Sequence, residues 1–227
     1  MAGVAQRASL AESQSSRTGG AGRLYRGGSV SARAIFDQAF ADAAEALEGF
    51  RRSPEAFAAC VSFADLLTDT FRSGGKALAA GNGGSMADAL HFAEELTGRF
   101  RQDRRPLPAL ALGDSTHLTC VANDFGFEHV FSRLVEAFGQ EDDLLVLLST
   151  SGNSPNLLLA AQAGKAKGMK VVGMLGRDGG QLAPLCDLAV LAPGATSDRI
   201  QEIHMLVLHT VIEATEAALG FGDSGCA

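Results

Sequence analysis

Apolar positions along the chain change period three times, and each change marks a different kind of element. From Ser31 they recur at helical spacing, with Ile35, Phe36, Ala39, Phe40, Ala43, Ala44, Leu47 and Phe50 on one stripe. A second stripe runs from Phe57 through Cys60, Val61, Phe63, Ala64 and Leu67 to Phe71, opened by Ser53 as N-cap with Pro54 at the first helical position and closed by Gly74-Gly75. The pattern predicts two amphipathic helices, packed on the rest of the domain or on a second subunit. From Lys76 onward, short continuous apolar runs take over: Lys76–Ala80, Ala109–Leu112, Leu144–Ser149, Lys170–Leu175 and Asp187–Leu191. Most are separated by enough residues for a crossover helix, so they predict a parallel sheet covered by helices on both faces. Leu144–Leu148 is apolar throughout, as a central strand must be. A last stripe, Ile200, Ile203, Val207, Val211, Ala214 and Ala218, predicts a long helix from Asp198 to Leu219.

In open sheets of this kind, ligands bind beyond the carboxyl ends of the strands. The loop after the first strand is Gly81-Asn82-Gly83-Gly84-Ser85, and the helix it opens carries His91 and Glu95 four residues apart on one face. It is not a dinucleotide fingerprint, because Met86 stands where a third glycine is needed. After the third strand comes Ser149-Thr150-Ser151-Gly152-Asn153-Ser154-Pro155-Asn156, a cup of hydroxyl and N–H donors over a helix N-terminus, suited to a phosphate. Lacking a Gly-Lys-Ser/Thr ending, it is not the loop of nucleotide hydrolases. Between the two lie Asp114-Ser115-Thr116 and Asn123-Asp124, suited to sugar hydroxyls or, more simply, to caps and turns. On the last helix Gln201 and His209 stand eight residues apart, about 12 Å along the axis and roughly 80° around it. Such spacing lets both reach one cavity without joining them. His204 and His117 read as core histidines rather than ligands.

Composition narrows the function class. With 227 residues and 46% hydrophobic content, one domain with a full core is expected. Residues 1–30 hold four of the 19 basic residues against one glutamate, so the remainder carries 15 basic and 25 acidic residues. An acidic body argues against nucleic acid as partner. The Ser, Gly, Ala and Arg-rich residues 1–30 read as a disordered tail, an organellar transit peptide being the alternative. Cys60, Cys120, Cys186 and Cys226 form no C-x-x-C pair and read as reduced, mostly buried thiols. No apolar run reaches the ~18 residues of a membrane span. A soluble, cytoplasmic protein is expected.

Together, Gly81 to Leu96, Ala122-Asn123-Asp124-Phe125-Gly126, Ser149 to Asn156, and Ile200-Gln201-Glu202-x-His204 through His209 resemble the phosphoheptose isomerases of the sugar isomerase (SIS) domain superfamily. The resemblance covers nearly everything from residue 31 onward. It implies an α/β fold, a three-layer α-β-α sandwich with a five-stranded parallel sheet preceded by two helices. It implies conversion of sedoheptulose 7-phosphate to D-glycero-D-manno-heptose 7-phosphate, in heptose synthesis for bacterial surface polysaccharides such as lipopolysaccharide. It also implies a homotetramer with sites at subunit interfaces, and one zinc ion per subunit held by His91, Glu95, Gln201 and His209. Glu95 and His209 would be the acid–base pair. Asn82, Gly83, Gly84, Ser85, Asn123, Asp124, Ser149, Thr150, Ser151, Ser154 and Gln201 would bind substrate, Glu95 also touching it. Glutamine is an unusual zinc ligand, so Gln201 has substrate binding as its alternative. The rival readings are an isomerase of another sugar phosphate and a non-catalytic binding protein like the relative that associates with the bacterial replication initiator. Such relatives lack the carboxylate and imidazole that match Glu95 and His209.

Overall fold

In a computed structural model that describes residues 31–101 and 103–221, the Leu144–Ser149 run is strand β3, buried along its whole length at the centre of the sheet. β1 (Ala77–Gly81) and β4 (Lys170–Gly176) flank it, β2 (Ala109–Ala111) and β5 (Leu188–Ala192) form the edges, and all neighbours are parallel in the order β2-β1-β3-β4-β5. Every strand lies within a residue or two of the run that predicts it. Continuous burial explains why those runs lack alternation: both pleat faces are covered.

The two faces are covered by different helices. Leu78, Ala80, Leu145, Leu147, Val171 and Leu175 point to one side, against residues of α4 (Ser115–Asp124), α5 (Ser132–Phe138) and α6 (Pro155–Ala166). Ala77, Ala79, Leu144, Val146, Leu148, Val172 and Met174 point to the other, against α2 (Pro54–Arg72), α3 (Gly84–Thr97) and α7 (Ser197–Ala218). Each fully buried leucine on these faces contributes roughly 1.5–3 kcal/mol. Among the described residues no helix is long and apolar enough to cross a membrane.

Contacts divide the chain into two compact units, residues 1–40 and 41–227. Residues 32–40 of the first belong to α1 (Ala32–Arg52), where Arg33 pairs with Asp37. The expected tail, residues 1–30, and Cys226 lie outside the described residues. In the second unit α2 starts where its cap predicts, Ser53 Oγ accepting the Ala56 N–H at 3.1 Å. It buries Phe63, Leu67 and Phe71 yet leaves Phe57 and Val61 exposed. The expectation of mostly buried thiols needs correcting: Cys60 and Cys186 are half-buried and Cys120 is exposed. Cys120 sits on the outer side of short α4, away from the apolar cluster that Val121 joins.

Candidate active site

Three loops at the carboxyl edge of the sheet converge on a pocket of about 190 Å³ lined by Asn82, Ser85, Leu148, Ser149, Thr150, Ser151, Ser154, Ser197 and Gln201. It collects three helix N-termini: α3 begins at Gly84, α6 at Pro155 and α7 at Ser197. Their unpaired N–H groups and partial positive charge favour an anion. None of the lining residues is Lys or Arg, so the pocket offers dipoles and hydroxyls in place of formal charge. Ser154 caps α6 by position but makes no side-chain cap hydrogen bond, which leaves its hydroxyl for a ligand.

Local folding follows from two glycines. Gly152 has φ +63°, a left-handed conformation, and a Cβ there would meet the Gly179 carbonyl, so the cup needs glycine at this turn. A Cβ on Gly84 would lie 2.6 Å from the Gln201 amide nitrogen, so a side chain there would push that amide away from the start of α3. Gln201 Nε2 in turn approaches Ser85 Oγ at 3.4 Å. Thr150 Oγ1 and Ser197 Oγ lie 3.0 Å apart, and Ser149 Oγ accepts the Gly152 N–H. Asn82 is occupied differently from what its position suggests. Its carboxamide pairs reciprocally with that of buried Asn156, at 2.9 and 2.8 Å, clamping the glycine loop to the serine loop.

A second group of side chains gathers between α3 and α7. His91 Nε2 lies 3.0 Å from Glu95 Oε1, as their i, i+4 spacing predicts. The His209 ring meets the His91 ring edge-on, centroids 5.1 Å apart, and stacks on Phe100 at 5.6 Å. Ligand atoms of His91, Glu95 and His209 all lie within 4.8 Å of one another, so two imidazoles and a carboxylate offer a three-donor set of the kind zinc takes in catalytic sites. Gln201 points into the pocket, one end of α7 serving the anion cup and its middle the His/Glu cluster.

Asn123 and Asp124 are not brought to the pocket. Both are exposed at the end of α4, where Asn123 donates to Asp124 Oδ1 at 2.7 Å. Asp114 caps the same helix by accepting the His117 N–H, and the His117 ring is satisfied by the Val130 carbonyl at 3.0 Å. His204 is fully buried in the core, where burial pushes its imidazole down to about 4 against the opposing pull of the Leu175 backbone. Asp88, one turn before His91, is raised by burial to about 6, His91 opposing, and its Oδ2 has no hydrogen-bond partner.

Asn156 closes the Ser149–Asn156 motif, whereas Ser197, Phe100 and Arg104 stand outside every motif, and Phe100 and Arg104 are fixed by long-range packing that no local pattern reports.

The chain combines an open parallel sheet, a hydroxyl-lined cup and a His/Glu cluster on α3 and α7, and its residues 27–176 match the SIS domain family. The chain is 56% identical over 153 residues to a phosphoheptose isomerase from Fusobacterium nucleatum, covering 67% of this chain and 79% of that protein. It is 50% identical over 176 residues to one from Yersinia pestis, covering 77% and 91%. The structure of a phosphoheptose isomerase from Neisseria gonorrhoeae superposes with a TM-score of 0.77 at 37% identity, over 82% of this chain and all of that one. The chain belongs to the phosphoheptose isomerase family of SIS domain proteins.

Proposed function

We infer that the protein is an aldose–ketose isomerase that converts sedoheptulose 7-phosphate to D-glycero-D-manno-heptose 7-phosphate for heptose synthesis. The observation that carries the reading is that α3 and α7 carry both groups: Ser85 and Gln201 line the hydroxyl cup, and His91, Glu95 and His209 form the acid–base cluster. α7 joins the two, with Gln201 at the cup and His209 at the cluster about 12 Å apart along the axis.

Isomerisation moves one proton from C1 to C2 and another between the two oxygens. The phosphate sits on the three helix ends and the hydroxyls of Ser85, Thr150, Ser151, Ser154 and Ser197, which fixes the far end of the open chain. Glu95 takes the C1 proton as carboxylate, His209 gives a proton to O2 and accepts one from O1, and Glu95 returns its proton to C2. Protons and charge balance, and the enediolate passes between two groups that are already in place. His91, Glu95 and His209 fit a zinc ion by donor type and mutual distance, while the Gln201 amide approaches Ser85 of the cup. Bound there, zinc would polarise the carbonyl and stabilise developing oxygen charge.

Assembly as a homotetramer in the cytoplasm belongs to the same reading. Exposed Leu47, Phe57, Val61 and Leu206 support a second copy as cover, and exposed Asn123 and Asp124 would serve a neighbour's substrate. Incubating the purified protein with sedoheptulose 7-phosphate and following the aldose by NMR tests the activity. Product in quantity is expected; none, with or without added zinc, would favour a sugar-phosphate-binding protein.

A further inference from the structure

Glu95 and His209 sit on helices far apart in sequence, so their separation depends on how α3 registers against α7. α3 ends at Thr97, leaving its last carbonyls without N–H partners from a following turn. Gly98 N–H takes the Glu94 carbonyl at 2.7 Å. One side chain reaches the next two: Arg104 Nη2 donates to the Glu95 carbonyl at 2.8 Å and Nη1 to that of Leu96 at 2.9 Å, which also accepts the Leu107 N–H at 3.0 Å. Nη1 also approaches the Gly98 and Arg105 carbonyls at 3.2 Å. The remaining donor, Nε, reaches Glu216 Oε1 on α7 at 2.6 Å, with the arginine side chain 1% and the glutamate side chain 6% exposed.

One planar cation thus caps the negative end of α3 and grips α7. Its partner Glu216 lies seven residues past His209, within about 20° of the same helix face. Phe100 on His209 and Arg101 with Glu213, at 2.9 Å, fasten the same stretch of α7. The exposed Arg101 pair contributes little. A buried ion pair by itself is weak evidence for stability, but here most of the contacts run to helix-end carbonyls, among them that of Glu95 itself.

We propose that Arg104 is a positioning residue for the isomerisation: by tying the Glu95 carbonyl to Glu216, it sets α3 against α7 and with them the distance between the Glu95 carboxylate and the His209 ring. Arg104 does not line the anion cup.

The proposal rests on the isomerase reading, and its test separates the two. R104K keeps the charge and a reach to Glu216 but loses the fork to the helix end; E216Q keeps the shape and loses the charge. Both conserve size, so they serve where R104M fails to fold. Misplacement of about an ångström predicts a kcat for R104K lower by roughly 10–100-fold. KM, and the affinity for inorganic phosphate measured by calorimetry, should stay within about twofold of wild type. The ring-proton resonances of His209, which Phe100 shields, should shift in R104K, and E216Q should show the same changes at smaller size. A kcat within about twofold of wild type with unmoved His209 resonances would overturn the proposal, as would a kcat loss matched by an equal loss of phosphate affinity. If wild-type protein turns over no sedoheptulose 7-phosphate, the isomerase reading fails, while the His209 resonances still decide whether Arg104 positions that ring.

Discussion

The anion cup and the His/Glu cluster both draw on α3 and α7 but are built on opposite principles. The cup is made of loop backbone and hydroxyls at three helix ends, with no charged side chain lining it. Its shape is set locally, by Gly84, Gly152 and the Asn82–Asn156 amide pair. The cluster is made of ionisable side chains from two helices, and its geometry is set by distant groups, Phe100 and Arg104. Binding thus uses preformed dipoles that need no partner to be placed, whereas proton transfer uses groups whose mutual distance the tertiary structure must hold.

Separate substitutions should pull the two apart. The largest effect belongs to E95Q, which keeps the size but removes the base: kcat should fall by about 10²–10⁴-fold with KM little changed. S154A removes one hydroxyl from the cup and should raise KM by roughly 10–100-fold, on the scale of a hydrogen bond to a charged group, with a smaller change in kcat. G84A should do likewise, because its Cβ displaces the Gln201 amide. Zinc added to metal-stripped protein should raise Tm, a gain that follows ligand occupancy and should vanish in H91A but survive in S154A.

Smaller effects concern stability and pH. His204 is held near 4 by burial, below its ordinary 6.5, so between these values the unfolded chain binds a proton that the folded one refuses. Stability should therefore fall as pH drops through that window, and H204L should flatten this slope in urea unfolding. Asp88 has the opposite sign: raised by burial from 3.8 to about 6, it favours the fold when protonated and costs stability once ionised above that value. D88N should stabilise the protein at neutral and alkaline pH and make no difference at pH values below both.

The same division governs what could be read from residues alone. All five strands were visible because burial on both faces leaves unbroken apolar runs, and the serine loop stood out as a hydroxyl cluster after the most apolar of them. His91 and Glu95 announced themselves by helical spacing. Joining His209 to them needed the family resemblance, since nothing local links α3 to α7. Phe100, Arg104 and Glu216 escaped notice because an arginine in a polar stretch looks like surface until a helix end is seen to need its donors. Asn82 lines the cup as its loop suggests, but its pairing with Asn156, a partner 74 residues away, is equally silent in the sequence.

The central claim is that the cup binds and the cluster reacts. Titrating sedoheptulose 7-phosphate into E95Q by calorimetry, with the aldose assayed in the same sample, tests it most directly. Binding within about threefold of wild-type KM and aldose formation slowed by about 10²–10⁴-fold are expected. Loss of binding, or turnover at the wild-type rate, would contradict the account.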